Sequence, residues 1–182
     1  INYSLFVSFF PQLIAGPIVR YNYFIKQLNQ IRIDKLNLIS GLQLISIGLF
    51  KKIIIADSLA MYINNNFSNI ELLSSNETFF TTVAFTMQIY FDFSGYTDIA
   101  LGLALLFSIK LPINFMYPYL SMGMIDFWKR WHISLSNFIN DYIFTSINRS
   151  FKNITHFKIM LSIFITMLIA GLWHGASWLF VI

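Results

Sequence analysis

The stretch from Ile159 to Trp173 constrains the fold most strongly, because it is almost continuously hydrophobic and only Ser162 and Thr166 interrupt it. A helix that crosses the hydrocarbon core of a bilayer needs about 20 mostly apolar residues. The composition agrees with a membrane location: hydrophobic residues make up 57% of the chain and charged residues 11%. Soluble domains carry about 25% charged residues. The chain is therefore predicted to be an integral membrane protein built from helices.

Further hydrophobic regions predict a polytopic, all-α fold. The predicted spans are residues 3–19, 38–63, 78–109 and 159–182. We expect the third span to break within FDFSGYTD, residues 91–98, because a glycine and two aspartates are unfavourable in a lipid-facing helix. The sequence starts without Met and stops inside a hydrophobic run. Residues 1–182 are therefore interpreted as one fragment of a single, longer membrane domain.

The charges predict how the spans are oriented. Residues 20–35 and 110–158 are rich in Lys and Arg, whereas residues 64–77 carry two glutamates and no basic side chain. The positive-inside rule places the first two segments in the cytoplasm and the third outside. The net charge of +4 is scattered between spans, and this pattern does not indicate a nucleic-acid partner. The chain has no Cys, which excludes disulfides and thiolate metal sites within it.

The loop 110–158 contains a segment that predicts an amphipathic helix over residues 126–142. Trp128, Trp131, Leu135, Phe138 and Tyr142 fall on one face at helical spacing, and the basic residues lie elsewhere. Such a helix lies in a membrane interface or dips into a cavity lined by protein. A plain interfacial helix without chemistry is the alternative.

The histidines are the candidates for chemistry. His132 lies in the amphipathic segment and His174 in the last apolar span, whereas His156 sits in a basic, polar stretch. Ionisable groups inside a span are functional candidates, and a neutral imidazole can take a proton from a hydroxyl nucleophile. Trp173 and Trp178 would wall a site at His174. Alternatively, His174 makes a hydrogen bond between helices.

Other motifs are weak or absent. Asp92 and Asp98 lie six residues apart, so they share a face only if the helix breaks at Gly95; the alternative is a polar break that neighbouring spans satisfy. No metal-ligand motif, serine-hydrolase elbow or phosphate loop is present.

Five ordered stretches resemble the membrane-bound O-acyltransferase superfamily, and most of all its bacterial branch with the alginate O-acetylation membrane subunit. They are SFFPQLIAGPIVRY (8–21), QIYFDFSGYTDIALGLALLF (88–107), LPINFMYPYLS (111–121), DFWKRWHISLSNFINDYIF (126–144) and GLWHGASW (171–178). Residues 143–149 lack the Pro and Gly that members of this branch usually carry there. The resemblance therefore does not predict whether this segment forms the turn that the family has.

The resemblance implies a transmembrane tunnel of tilted, broken and re-entrant helices. It implies that His174 is the catalytic histidine and that His132 is the second histidine of the site. Asp92, Asp98, Trp128, Trp131, Trp173 and Trp178 are candidates for the tunnel wall, and no metal is expected.

The implied activity is the transfer of an acetyl or other short acyl group to a hydroxyl of an extracytoplasmic cell-surface polysaccharide. The donor would be acyl-coenzyme A or an acyl-carrier protein, with no bound cofactor, and a secreted or periplasmic acetyltransferase would be a partner. The expected location is the inner (cytoplasmic) membrane, in multi-pass form and in contact with lipid. Acylation of peptidoglycan or teichoic acid, or a non-catalytic conduit for a separate transferase, are the alternatives.

The predicted orientation is testable by cysteine labelling of the full-length protein. We expect a membrane-impermeant reagent added outside to label Ser68→Cys and not Asn153→Cys, because the basic segments stay in the cytoplasm. The opposite pattern would reverse the orientation.

Overall fold

The computed structural model describes residues 1–13, 15–32, 34–153 and 155–175. This part of the chain is helical and contains no strand, so the predicted all-α class is confirmed. It forms two compact units, Ile1–Phe115 and a second that begins at Met116. The prediction of one single domain stays a prediction.

The first unit is built around two long helical segments that lie side by side. One begins as α3, passes through a π-helical turn and continues as α4; the other is α5. Its helices are α1 (Asn2–Ser8), α2 (Tyr21–Leu28), α3 (Lys35–Leu49), the π-helical Phe50–Ala56, α4 (Asp57–Phe67) and α5 (Ser75–Leu106).

The predicted span over residues 3–19 does not form one helix. Helix α1 ends at Ser8, and a short 3₁₀ turn, Phe10–Gln12, follows. Proline lacks the N–H that a continuing α-helix needs, so Pro11 and Pro17 stop the helix. The segment instead packs its rings on α2, with Phe6 and Phe9 centroids 5.5 and 5.0 Å from that of Phe24.

The predicted break in the third span is wrong, because α5 runs without interruption through residues 91–98. Its start is fixed by a capping box in which the Glu77 N–H donates to Ser74 Oγ (3.4 Å) and the Ser74 N–H donates to Glu77 Oε2 (2.8 Å). Gly95 does not interrupt α5, because a neighbouring backbone fills the space that a side chain would take.

Two pairs of glycines bring the long segments into backbone contact. A Cβ at Gly48 would lie 2.6 Å from the carbonyl oxygen of Gly95, and a Cβ at Gly102 would lie 2.6 Å from that of Gly41. Small residues allow helices to approach this closely in membranes. The pairing of 41 with 102 and of 48 with 95 makes the two segments antiparallel.

The antiparallel pair brings residues 20–32 and 107–115 to the same end of the unit. Gln27 joins them: its Nε2 donates to the carbonyl of Lys110 (3.0 Å), and its Oε1 accepts from the Lys110 N–H (2.8 Å). The loop of residues 68–74 lies at the other end. This arrangement agrees with the predicted alternation of loops, while the side of the membrane stays a prediction.

The second unit consists of short helices followed by one long helix. The single helix predicted over residues 126–142 is wrong, because the chain turns a corner at Trp131 and His132. The helices are α6 (Met124–Arg130), α7 (Ile133–Phe138), the π-helical Ile139–Phe144, α8 (Thr145–Ser150) and α9 (His156–His174). The segment 143–149, which departs from the family pattern, is therefore helical.

Two helices of the described chain are long and apolar enough to cross a membrane. They are Lys35–Phe67, with 33 residues, and His156–His174, with 19. These correspond to the second and fourth predicted spans. In α9 the fully buried Ser162 hydroxyl donates to Asn148 Oδ1 of α8 (3.0 Å), so the long helix is tied to the short one before it.

We predict that Gly48→Ala destabilises the protein and that Gly123→Ala does not. The added methyl at Gly48 meets a backbone oxygen and the Ile99 side chain, whereas a Cβ at Gly123 would meet nothing within 4 Å. Overpacking of this kind costs about 1–3 kcal/mol. Thermal unfolding of the full-length protein in detergent measures the difference, and equal midpoints for the two variants would contradict the close contact.

Candidate active site

His132 occupies a strained corner between α6 and α7. Its backbone is left-handed, with φ 44° and ψ 53°, a conformation that costs a residue with a side chain about 1–2 kcal/mol. Ser136 supports the corner, because its N–H donates to the His132 carbonyl (3.0 Å) and its hydroxyl reaches the Trp131 carbonyl (3.4 Å). Strain of this kind clusters at functional sites, so the corner points to the imidazole that it positions.

The surroundings of His132 keep its imidazole neutral. Burial and, second, the positive charge of His174 lower the pKa of His132 from 6.5 to about 4. A neutral imidazole offers one N–H donor and one nitrogen acceptor. The effect of His174 also shows that the second unit brings the two predicted histidines within electrostatic range of each other.

His174 is the last residue of α9, and Gly175 follows it in extended backbone. The Trp173 ring stands edge-on to the imidazole, with centroids 4.9 Å apart. His174 belongs to a predicted apolar span, but in the described chain its side chain is exposed. The helix ends here, so the imidazole lies at the tip of α9 and not along its packed face. Trp178, which we predicted to wall the site, lies outside the described residues.

The predicted tunnel tryptophans of the amphipathic segment do not form one stripe, because α6 ends at Arg130 and Trp131 follows it in extended backbone, whereas Trp128 lies within the helix. Trp131 stacks on Phe127, with centroids 5.6 Å apart and rings inclined by 16°, and it also contacts Tyr119. Trp128 is 49% exposed and Trp173 is 64% exposed. Within this chain, Trp131 therefore belongs to a packed aromatic cluster, while the other two present open surfaces.

Asp92 and Asp98 do not converge on one point; each forms an ion pair with a lysine of the antiparallel partner segment. Lys51 Nζ lies 2.6 Å from Asp98 Oδ2, and Lys52 pairs with Asp92. Neighbouring helices thus satisfy both carboxylates without any break in α5. The alternative of a polar break satisfied by neighbouring spans is therefore right about the neighbouring partners and wrong about the break.

The sequence did not lead us to predict Lys51 and Lys52 as the partners of Asp98 and Asp92. Lys51 and Lys52 lie inside the second predicted span, residues 38–63. The usable signal was two adjacent cations in one span and two carboxylates in the next, because charges inside a membrane are almost always paired.

Within the described residues, no group of three or more His, Cys, Asp or Glu side chains is placed to hold a metal ion. The candidate site contains two imidazoles, one neutral and half-buried, the other at a helix end beside an indole ring. Such groups can hold or move a proton and donate hydrogen bonds.

Comparison with known proteins gives a consistent set of relatives. The chain is 43% identical over its whole length to a peptidoglycan O-acetyltransferase of Helicobacter pylori and 39% identical over its whole length to the probable alginate O-acetylase AlgI of Azotobacter vinelandii. It is 32% identical over 94% of its length to a teichoic acid D-alanyltransferase of Bacillus subtilis. It covers 35%, 36% and 46% of these proteins, respectively.

The chain thus spans a third to a half of the length of these relatives. The family model of the membrane-bound O-acyltransferases matches residues 1–182. The predicted resemblance is confirmed, and the chain belongs to the membrane-bound O-acyltransferase family.

Proposed function

We propose that the protein containing this chain is an O-acyltransferase that moves an acetyl or other short acyl group to a hydroxyl of a cell-surface polysaccharide. The observation that carries the proposal is that His132 and His174 lie in one unit, within electrostatic range of each other. Burial keeps the imidazole of His132 neutral, and the tip of α9 presents the imidazole of His174 beside Trp173. Transfer to a hydroxyl needs a group that accepts the proton of that hydroxyl.

In this proposal His174 is the general base. Its imidazole takes the proton of the acceptor hydroxyl while the oxygen attacks the acyl carbonyl carbon. The bond from that carbon to the donor sulfur breaks, and the imidazolium returns its proton to the leaving thiolate. Exposure of the ring in this chain leaves room for both substrates, and water is excluded there only once further segments cover the site.

His132 has a different role, which follows from its low pKa. It stays neutral at pH 7, so it does not repel the imidazolium that forms during the proposed reaction. A neutral ring can hold a substrate oxygen or orient the donor by a hydrogen bond. We therefore assign His132 to substrate positioning and His174 to proton transfer.

The acceptor is proposed to be a polysaccharide outside the cytoplasm. The relatives' names give alginate, peptidoglycan and teichoic acid. An alginate-type polysaccharide is the first candidate acceptor. The glycan of peptidoglycan is the second candidate, and it is favoured by the 43% identity to the Helicobacter pylori protein.

The remaining assignments belong to the same proposal. The donor is acyl-coenzyme A or an acyl-carrier protein on the cytoplasmic side, and a secreted or periplasmic transferase receives the group or assists its delivery. The protein lies in the cytoplasmic membrane in multi-pass form. Trp128 and Trp173, which are exposed in this chain, are the best-supported candidates for the wall of a tunnel.

We predict that His174→Gln and His174→Ala both stop acylation while the protein stays in the membrane at normal abundance. Glutamine keeps a hydrogen-bonding group but cannot carry the proton, and loss of a general base costs about 10²–10⁴ in rate. The measurement is the ester-linked acyl content of the cell surface in a deletion strain complemented with each full-length variant. His156→Gln, a change at an exposed site, is the matched control.

A His174→Gln strain with near-normal acyl content would overturn the catalytic assignment. It would instead support a helix-to-helix hydrogen bond.

We also predict an acid sensitivity that depends on His132. Its folded pKa of about 4 lies below the ordinary 6.5, so the unfolded chain binds more protons between these values. The contribution to stability is therefore fully present above pH 6.5 and is lost as the pH falls toward 4. The unfolding midpoint of the full-length protein in detergent should drop less between pH 7 and pH 4.5 in His132→Gln than in the wild type or His156→Gln. Equal drops in all three would contradict a buried, neutral His132.

A further inference from the structure

We propose that Lys51 and Lys52 lock the register of the two long segments by forming ion pairs on both sides of the Gly48–Gly95 contact. The lock concerns the first unit and does not depend on the proposed acyl transfer.

The aspartates flank the glycine of α5. Asp92 is three residues before Gly95 and Asp98 is three residues after it. At 3.6 residues per turn, each carboxylate lies about 60° to one side of the glycine and on opposite sides of it. The contact line between the helices therefore passes between the two carboxylates.

The lysines flank the same contact from the other segment. They follow Gly48 by three and four residues, which also places them on either side of it. A Cβ at Gly95 would lie 3.0 Å from the Lys52 backbone nitrogen and 3.1 Å from the Lys51 Cβ. Gly95 thus lies directly against both lysines.

Each lysine reaches the carboxylate on its own side. Lys51 pairs with Asp98 at 2.6 Å, and both side chains are about a fifth exposed, at 23% and 21%. Lys52 pairs with Asp92 on the other side, where the side chains are 41% and 39% exposed. The less exposed ion pair, Lys51–Asp98, therefore lies on one side of the Gly48–Gly95 contact, and the more exposed pair, Lys52–Asp92, lies on the other side.

The π-helical turn Phe50–Ala56 gives the open side a second carboxylate. Lys52 Nζ also lies 3.1 Å from Asp57 Oδ1, five residues along the same segment. In a regular α-helix, residues five apart point about 140° away from each other, whereas the i→i+5 pattern of a π-helix brings them onto one side. The turn thus lets Lys52 bind its own segment and α5 at once.

The two-sided arrangement resists sliding. A shift of one helical turn, about 5.4 Å, would separate the pairs on both sides together and press side chains against the glycines. An unpaired charge in a membrane is costly, and the best-attested use of buried ion pairs is to specify register. The hydrogen bond from Asn66 Nδ2 to Thr81 Oγ1 (2.6 Å) lies far from the lock and reports the same register.

Disulfide cross-linking in the full-length protein tests the lock without reference to activity. The reporter is Asn66→Cys with Thr81→Cys, and Asn66→Cys with Phe85→Cys reports a register shifted by about one turn. Any cysteines outside this chain are replaced by serine first. Each reporter is combined with Lys51→Ala, with Lys51→Asp and with the control Lys35→Ala, which changes an exposed lysine at the start of α3.

The decisive variants are two charge exchanges of equal composition. Lys51→Asp with Asp98→Lys restores a pair on one side, whereas Lys51→Asp with Asp92→Lys places like charges on both sides. We expect Lys51→Ala and Lys51→Asp to lower the 66–81 cross-link about tenfold per membrane-inserted molecule. The same-side exchange should restore it, while the cross-side exchange should not; Lys35→Ala should leave it unchanged.

Equal cross-linking in the two exchanges would overturn the lock. So would a same-side exchange that cross-links or accumulates no better than Lys51→Asp alone.

Discussion

The close contact between the backbones of α3 and α5 is the constraint on which the first unit depends. Glycines at matched positions let the carbonyl of Gly95 approach where a Cβ of residue 48 would stand. That approach brings the lysines of one segment onto the aspartates of the other. Charges that would each be costly in hydrocarbon are thereby neutralised by a neighbour. The same contact fixes which loops share an end of the unit, so it sets the positions of residues 20–32 and 107–115.

The main structural constraint in the second unit is a strained backbone at one residue, whereas in the first unit it is the close packing of two helices. A left-handed residue at the junction of α6 and α7 redirects the chain, and the residue chosen for that corner is His132 rather than glycine. The corner therefore carries an imidazole on a strained backbone. Its low pKa makes it a hydrogen-bonding group beside His174. In the proposed function, this division of roles between two imidazoles links the fold to acyl transfer to a hydroxyl.

Hydrophobic length predicted the helical class and, among four predicted spans, the two helices of the described chain that are long and apolar enough to cross a membrane. It succeeded there because the hydrophobicity of a segment can be read directly from its own residues. The same reasoning failed where tertiary contacts decide the outcome. Gly95 with two aspartates predicted a break, yet a partner segment supplies Gly48 and two lysines, and the helix continues. Helical spacing predicted one amphipathic helix through His132, but spacing carries no information on a single left-handed residue. The sequence motifs pointed to His132 and His174 as candidates. Only the fold shows that these two histidines lie within electrostatic range of each other.

The proposal that the whole protein carries an acyl group to a hydroxyl of a cell-surface glycan is testable in living cells. Cells are supplied with isotopically labelled acetate, and mass spectrometry determines the labelled esters on purified alginate-type polymer and on peptidoglycan. We expect alkali-labile labelled acetyl groups on one of these glycans in cells that express the full-length protein, and their loss on deletion of its gene. Unchanged acylation of every surface glycan after deletion would contradict the claim.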